Sequence, residues 1–162
     1  MKHSIEIRLG PAALLIALAA LPCAQAADWR KTGSDAEKIA NLVELVPNTA
    51  IWMRQMGHRY GDLYFAAKRG KWEFAAYQAE EMEKLVGYVA TARPGRAATA
   101  WEFHNAVFPS LHQVIAQRDW STFEPAFALL SSECMSCHIK NDHAFVVLPL
   151  PPRRHHSPVL DE

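Results

Sequence analysis

The period of the apolar residues constrains the fold of this chain more than any other feature of its sequence. From Thr49 to Cys137, apolar side chains recur at spacings of three and four residues, which is the period of an amphipathic α-helix. Strand-like alternation is absent from the sequence, apart from the short segment AFVVLPL at 144–150. The pattern therefore predicts an all-α fold.

Capping residues divide this pattern into one short helix and four long ones. Capping-box pairs, Ser34 with Glu37 and Ser121 with Glu124, mark two of the helix starts, and Asn48 marks a third. The predicted helices cover 34–46, 49–69, 72–92, 97–118, and a last stretch from 121 through the CMSCH segment at 134–138. Short connections favour antiparallel neighbours, so we expect an antiparallel four-helix bundle with a short extra N-terminal helix.

Each long helix is expected to bury one stripe of side chains. The expected stripes are Met53, Met56, Tyr60, Leu63 or Tyr64, and Ala67; Trp72, Ala76, Ala79, Met82, Val86 and Val89; Trp101, His104, Phe108, Leu111 and Ile115; and Phe123, Phe127, Leu130, Cys134 and Cys137. Pro109 is expected to kink or split its helix, because proline removes a backbone donor and crowds the preceding turn.

The N-terminal segment has the form of a secretory signal. Basic residues precede an apolar stretch at 11–21, and an A-x-A cleavage pattern ends at Ala26. The stretch is too short for an uncleaved spanning anchor, and Pro22 stands where a lipoprotein signal cut before Cys23 needs a small residue. We therefore expect a signal peptide at 1–26, a helical domain at 27–148 and a mobile proline-rich tail at 149–162. In a bacterium, export means the periplasm.

Charge and motif content argue against several functions. The chain has 17 basic and 17 acidic residues, and removal of Lys2, Arg8 and Glu6 with the signal leaves a net charge of about −1. No strong field therefore points to nucleic acid or to an anionic membrane. The sequence offers no nucleophile–base arrangement, no phosphate-binding glycine loop and no paired carboxylates placed for acid–base catalysis. We expect a protein that is not an enzyme.

Cys134, Cys137 and His138 form a Cys-x-x-Cys-His motif at the end of the last predicted helix. A dithiol redox centre would need only the two cysteines, usually where a strand meets a helix. Structural zinc would need four ligands, and no second Cys or His pair stands at a suitable spacing. Neither chemistry accounts for the whole motif in an all-helical chain.

A covalently attached haem accounts for all three residues of the motif. Side chains three apart on a helix lie on the same side, so the thiols of Cys134 and Cys137 can add to the two vinyl groups on one edge of a porphyrin. His138 can then ligate the iron. The motif therefore predicts one haem c per chain, with His138 as the proximal iron ligand.

At these residues the chain resembles the four-helix class of c-type cytochromes, typified by cytochrome c′ and its low-spin relatives. In that class the motif lies near the C-terminal end of the last helix, as CMSCH does here. The resemblance covers 49–140. The chain is also similar to small exported proteobacterial proteins that carry segments like GDLYFAAKRGKWEFAAYQAEEMEKL and HAFVVLP. The helix at 34–46 and the proline-rich tail depart from the cytochrome c′ pattern.

The sixth iron ligand decides what such a haem does. In an antiparallel bundle the end of the last helix lies beside the start of the first long one, which brings Met53 and Met56 near the iron. The resemblance to the low-spin relatives implies a methionine early in that helix, which Met53 matches best. His104 is the alternative, on the expected inward stripe at the same end. The histidines with weaker placement are His58, His112 and His143.

The resemblance implies one-electron transfer to or from a periplasmic redox partner. If no side chain reaches the iron, the site is five-coordinate, and NO or CO could bind there, with access shaped by Tyr60, Phe65 and Trp101. A haem-bearing sensor or an accessory subunit of a larger enzyme is a third interpretation. The resemblance to cytochrome c′ also implies a homodimer.

Several basic residues belong to the same end of the predicted bundle. One of Arg54, Arg59 and Arg96 could pair with a haem propionate, because the guanidinium fork suits a carboxylate. The RRHH segment at 153–156 could bind a metal or an acidic partner, and the alternative is a solvated tail.

Overall fold

A computed structural model of the chain describes residues 28–154 and residue 160. The predicted signal at 1–26 and most of 155–162 lie outside the described residues. The chain divides after Leu42 into two compact units. None of the described helices is both long enough and apolar enough to cross a lipid bilayer.

Two helices begin in the described part of the first unit. Helix α1 (Trp29–Thr32) begins after Asp28, whose side chain accepts a hydrogen bond from the backbone N–H of Arg30. Helix α2 (Asp35–Leu45) begins after Ser34, whose Oγ accepts from the backbone N–H of Glu37 at 3.2 Å. The predicted N-cap of the short helix is therefore confirmed.

Four long helices build the second unit. They are α3 (Thr49–Lys68), α4 (Trp72–Ala92), α5 (Ala97–Gln117), which a 3-10 turn at Pro94–Arg96 precedes, and α6 (Trp120–Lys140). Helix α3 packs against α4, α4 against α5, α5 against α6, and α6 against α3. The described residues contain no strand, and the AFVVLPL segment is irregular. The all-α prediction is confirmed.

The starts of α3 and α6 are set by different cap residues. Asn48 Oδ1 accepts from the backbone N–H of Ile51 at 3.1 Å, as the sequence predicted for α3. The prediction of a Ser121–Glu124 capping box was wrong. Helix α6 begins after Asp119, whose carboxylate accepts from the backbone N–H of Ser121 at 3.1 Å. Aspartate caps a helix as well as serine does, and Asp119, two residues before Ser121, caps this one.

Helix α5 runs unbroken through Pro109, so the predicted split did not occur. The residues around the proline, Val107, Phe108 and Leu111, are buried at 1% exposure or less. The burial of these side chains stabilises the helix. This stabilisation is larger than the cost of losing one backbone hydrogen bond at the proline.

The core lies between the four long helices. Its largest fully buried side chains are Leu63, Met82, Val107, Phe108, Leu111, Phe123, Phe127 and Leu130. The predicted inward stripe of α6 is buried from Phe123 to Cys134, with Cys137 partly buried at its end. The aromatic rings of Tyr60, Tyr64 and Phe123 surround Phe127, with centroids 4.6–5.7 Å from its own.

The inward stripe of α5 differs from the predicted one in its first half. Ala100, Phe103 and Val107 are buried there, whereas Trp101 is 44% exposed and His104 is only half-buried. Both stripes share the later residues of the helix. In the first half of the helix the two stripes are offset by one residue. The spacing of apolar residues fits both stripes equally well. The neighbours of α5 decided between them.

The chain beyond α6 packs back onto the helices. Tyr60 Oη donates to the carbonyl oxygen of Pro149 at 3.1 Å, and Pro152 is buried. Leu160 is also buried, and its carbonyl oxygen accepts from Arg69. Over these residues the structure differs from the expected mobile tail, because the apolar segment before Pro149 packs against the core of the helices.

Candidate functional site

The last turns of α6 bring the three motif side chains to one cavity. Cys134, Cys137 and His138 line a mostly apolar space of about 370 Å³ in the second unit. All four long helices contribute to its walls, together with the segment after α6. The other lining residues are Met53, Met56, Gly57, Tyr60 and Gly61 from α3, Val86 and Val89 from α4, Ala100 and Phe103 from α5, and Val146, Val147, Leu148, Pro149, Pro152 and Arg153.

A second cavity of about 630 Å³ adjoins the first. Met53, Cys137, His138 and Val146 line both cavities. The second is the more polar, and its additional residues include Asn48, Thr49, Arg54, Arg93, Arg96, Thr99, Asn141 and His143. Neither cavity is lined by an aspartate or a glutamate among the described residues. The motif therefore lies where an apolar space meets a cationic one.

The orientation of His138 is fixed by the chain that follows α6. Its Nδ1 lies 3.1 Å from the carbonyl oxygen of Val146, and a carbonyl can only accept a hydrogen bond. Nδ1 must therefore carry the proton, which leaves the lone pair of a neutral ring on Nε2. The turn that makes this contact is closed by the backbone N–H of His143, which donates to the carbonyl of His138 at 2.8 Å. This is the arrangement in which a protein holds an imidazole as a metal ligand.

The two thiols are free in the structure and buried to different degrees. Burial raises the pKa of Cys134 to about 12 and also raises the pKa of Cys137, which is partly exposed. Both side chains are therefore protonated at neutral pH. Reactive dithiols work as thiolates with a lowered pKa, so this environment is unfavourable for disulfide exchange. The geometry argues against a redox dithiol.

The described residues also fit zinc poorly. No group of three or more His, Cys, Asp or Glu side chains within the described part of the chain is gathered where it could hold a metal ion. A structural zinc site needs four such ligands around one point. The motif side chains face a cavity instead of a shared centre.

The same residues fit a c-type haem. A c-type haem has four nitrogen ligands of its own. From the protein it needs two thiols, an imidazole nitrogen and an apolar space. Cys134, Cys137 and the lone pair of His138 Nε2 meet the first two needs, and the adjoining cavity meets the third. The arginines of the second cavity suit the carboxylates on the porphyrin edge.

The candidates for the sixth iron ligand are placed differently. Met53 lines both cavities, and the buried Met56 lines the first. His104 lines neither, and its Nε2 lies 2.8 Å from Glu83 Oε1 on the α4–α5 surface. The same glutamate binds His112 Nε2 at 2.9 Å. The structure brings both methionines to the motif and leaves His104 away from it, because α5 turned a different stripe inward.

The weaker histidine candidates are also separated by the fold. His143 lines the second cavity, whereas His58 is exposed on α3. Among the aromatic residues expected to shape access, only Tyr60 lines a cavity. Phe65 packs against the core, and Trp101 points largely to solvent.

The three arginines expected as partners of a haem carboxylate do not all lie at the cavities. Arg54 and Arg96 line the second cavity. Arg59 lies elsewhere, where Nη1 donates to Gln78 Oε1 at 2.8 Å and Nη2 is 3.5 Å from Glu81 Oε2. Arg93 also lines the second cavity and was missed, although it begins the RPGR turn that ends in Arg96.

Sequence reasoning missed two walls of the site. Ala100 and Phe103 belong to the unexpected stripe of α5. The segment 146–149 was assigned to the end of the domain and the start of a tail, although its apolar composition directly after the motif was a usable signal.

Comparison of the chain with protein-family models, with curated proteins and with solved structures finds no match.

Proposed function

We propose that this chain is an exported monohaem c-type cytochrome that carries one electron at a time in the periplasm. The observation that carries the proposal is the content of one cavity: two thiols, an imidazole with a free Nε2 lone pair, and two thioethers. A c-type haem uses both thiols, the imidazole and one of the two thioethers.

The proposed architecture is an antiparallel four-helix bundle of the cytochrome c′ type. Two supports are the connections of a few residues between the long helices and the packing of α6 against both α5 and α3. Short loops between helices that pack together favour antiparallel neighbours. In that arrangement the end of α6 and the start of α3 meet, which is where the motif and Met53 share a cavity.

In the proposed holoprotein, thioether bonds at Cys134 and Cys137 hold the haem, and His138 is the proximal ligand. The haem supplies an iron that exchanges one electron between its ferrous and ferric states. The Val146 carbonyl keeps the His138 ring in one tautomer and one orientation, and its hydrogen bond increases the basicity of Nε2. Met53 is the proposed sixth ligand and Met56 the alternative.

The surroundings support electron transfer more than substrate chemistry. The mostly apolar walls of the first cavity favour the less charged, ferrous state and so raise the reduction potential. Arg93 and Arg96, both half-buried at the second cavity, are the proposed partners of the haem carboxylates.

A gas-binding haem protein is the second candidate, and Gly57 favours it. This glycine follows Met56 on α3 and lines the first cavity. A Cβ placed on it would meet nothing within 4 Å. If neither methionine ligates the iron, that open space could admit NO or CO.

The decisive experiment is expression with the signal in a bacterium that attaches c-type haem. We expect a peroxidase-active haem band that survives denaturing electrophoresis, and a mass equal to the chain cut after Ala26 plus one haem. The double variant Cys134→Ala/Cys137→Ala should lose the band. A pigment extracted by acidic acetone, or the mass of the bare chain, would refute the proposal.

A further inference from the structure

Within the described part of the chain, the arginines around the motif differ from most other basic residues in having no acidic partner. Seven basic side chains elsewhere in the described chain lie within 4.0 Å of a carboxylate: Arg30, Lys31, Lys38, Arg59, Lys84, Arg118 and Lys140. Arg54, Arg93, Arg96 and Arg153 line the two cavities, and none of them has such a carboxylate among the described residues. We call these four residues the arginine rim.

The rim carries more positive charge than a haem can neutralise. Arg93 is held by uncharged groups: it donates to the carbonyl oxygens of Ala92 and Pro47, and its guanidinium lies 5.6 Å from the ring centroid of Trp52. A haem has two carboxylates, so it can balance at most two of the four arginines. The half-buried Arg93 and Arg96 are the natural partners, which leaves the exposed Arg54 and Arg153 unbalanced.

The acidic residues near the rim do not cancel this excess. Neither cavity is lined by a described acidic residue, and the carboxylates next in sequence to lining residues include Asp142, after Asn141, and Glu133, before Cys134. Glu102 is already paired with Lys140 at 2.5 Å. Among the residues that line the cavities, four arginines against the two carboxylates of a haem leave two positive charges, in a protein whose net charge is close to zero.

Exposed apolar side chains lie beside this charge. Phe145 and Val147, on either side of the cavity-lining Val146, are 79% and 70% exposed. Aromatic and arginine side chains are the residues that interfaces between proteins enrich, and charge complementarity speeds the encounter of the partners.

We propose that the arginine rim, with Phe145 and Val147, is the docking surface for an acidic electron-transfer protein. This inference rests on the proposed function, since the rim surrounds the cavity assigned to the haem. A partner docked there would approach the cofactor from the side where the two cavities open. The positive rim would attract it over roughly a Debye length, about 30 Å at 0.01 M salt and about 8 Å at 0.15 M.

The test measures electron transfer from the reduced holoprotein to oxidised plastocyanin, an acidic blue-copper protein, by stopped-flow mixing. We expect the second-order rate constant to fall about tenfold or more as the salt rises from about 0.01 M to about 0.3 M. With mitochondrial cytochrome c, a basic carrier, the rate should rise over the same range. The double variant Arg54→Gln/Arg153→Gln should slow the reaction with plastocyanin at low salt by about three- to tenfold and flatten its salt dependence.

The matched control removes two positive charges away from the rim, in the double variant Lys84→Gln/Arg118→Gln. It should keep the wild-type rate and salt dependence. If the rate constant with plastocyanin does not change with salt, or if it falls equally in the control variant, the proposed docking surface is wrong. Either result leaves the covalently attached haem unaffected. A chain that carries no covalent haem overturns both the docking surface and the proposed function.

Discussion

His138 Nδ1 donates a hydrogen bond to the carbonyl oxygen of Val146, 3.1 Å away and eight residues later in the chain. The contact joins the motif at the end of α6 to the segment that covers the cavity. It therefore makes the C-terminal segment part of the site.

Removal of this segment should change the haem environment without removing the haem. In a chain ended after Phe145, all motif residues remain, but water replaces the Val146 carbonyl and enters the first cavity. We expect a covalently attached haem with a lower reduction potential, because water stabilises the more charged ferric state. Redox titration measures it. A chain ended after Arg154 keeps every lining residue and should keep the wild-type potential, so an equal fall in both would contradict the role of 146–149.

Loss of the Met53 thioether should convert a six-coordinate iron into a five-coordinate one. In Met53→Ala, we expect the sharp ferrous α band of the wild type to broaden and the spectrum to shift on addition of CO. Met56→Ala is the matched variant on the same wall of the cavity and should keep the wild-type spectrum. If the two variants exchange these behaviours, Met56 is the ligand. A wild-type spectrum that itself shifts with CO would favour the gas-binding alternative.

The aromatic cluster on the inner face of α6 should contribute strongly to stability. Phe127 is fully buried and contacts the rings of Tyr60, Tyr64 and Phe123. Phe127→Ala should lower the free energy of unfolding by about 3–5 kcal/mol, because it removes a buried ring and leaves a cavity. Urea denaturation of the holoprotein measures this. Leu129→Ala, on the same helix but 41% exposed, should cost less than about 1 kcal/mol.

The environment of Cys134 should be visible in the haem-free chain, expressed without its signal. Burial raises the pKa of this thiol to about 12, so the folded state holds its proton at pH values where the unfolded state, near its ordinary value, has released it. The stability of the haem-free chain should therefore be independent of this group below about pH 9 and should fall as the pH rises toward about 12.

The rate of alkylation by iodoacetamide tests the same burial and protonation of Cys134. At pH 8 we expect Cys134 to react much more slowly than Cys137, and both to react more slowly than in urea-unfolded protein. Fast reaction of Cys134 at neutral pH would instead indicate a lowered pKa and would revive the dithiol interpretation.

Local sequence signals predicted most of the helical framework. The spacing of apolar residues in α3, α4 and α6, and the caps at Ser34 and Asn48, specified helices that the structure contains within a few residues. Each of these signals acts between residues close in the chain, so it can be read without knowledge of neighbours. The Cys-x-x-Cys-His motif is equally local, and the haem that it indicates stays a prediction.

Most of the predictions that failed depend on contacts between distant segments, whereas the start of α6 differs for a local reason, the cap at Asp119. At the start of α5 two apolar stripes overlap, and the facing helices buried Ala100 and Phe103 and left Trp101 and His104 outside. Of the three arginines that could pair with a haem carboxylate, Arg59 contacts Gln78 and Glu81 on α4, whereas Arg54 and Arg96 line the second cavity.

By itself, the sequence determined an all-helical chain with two thiols and an imidazole at the end of its last helix. Only the tertiary structure decided which side chains share the cavity, that the segment after Phe145 covers it, and which arginines have no acidic partner among the described residues. The physical reason is that helix formation depends on the hydrogen bonds and spacing within one segment. Burial and charge pairing depend on which segments face each other, and the period of a single helix carries no record of its neighbours.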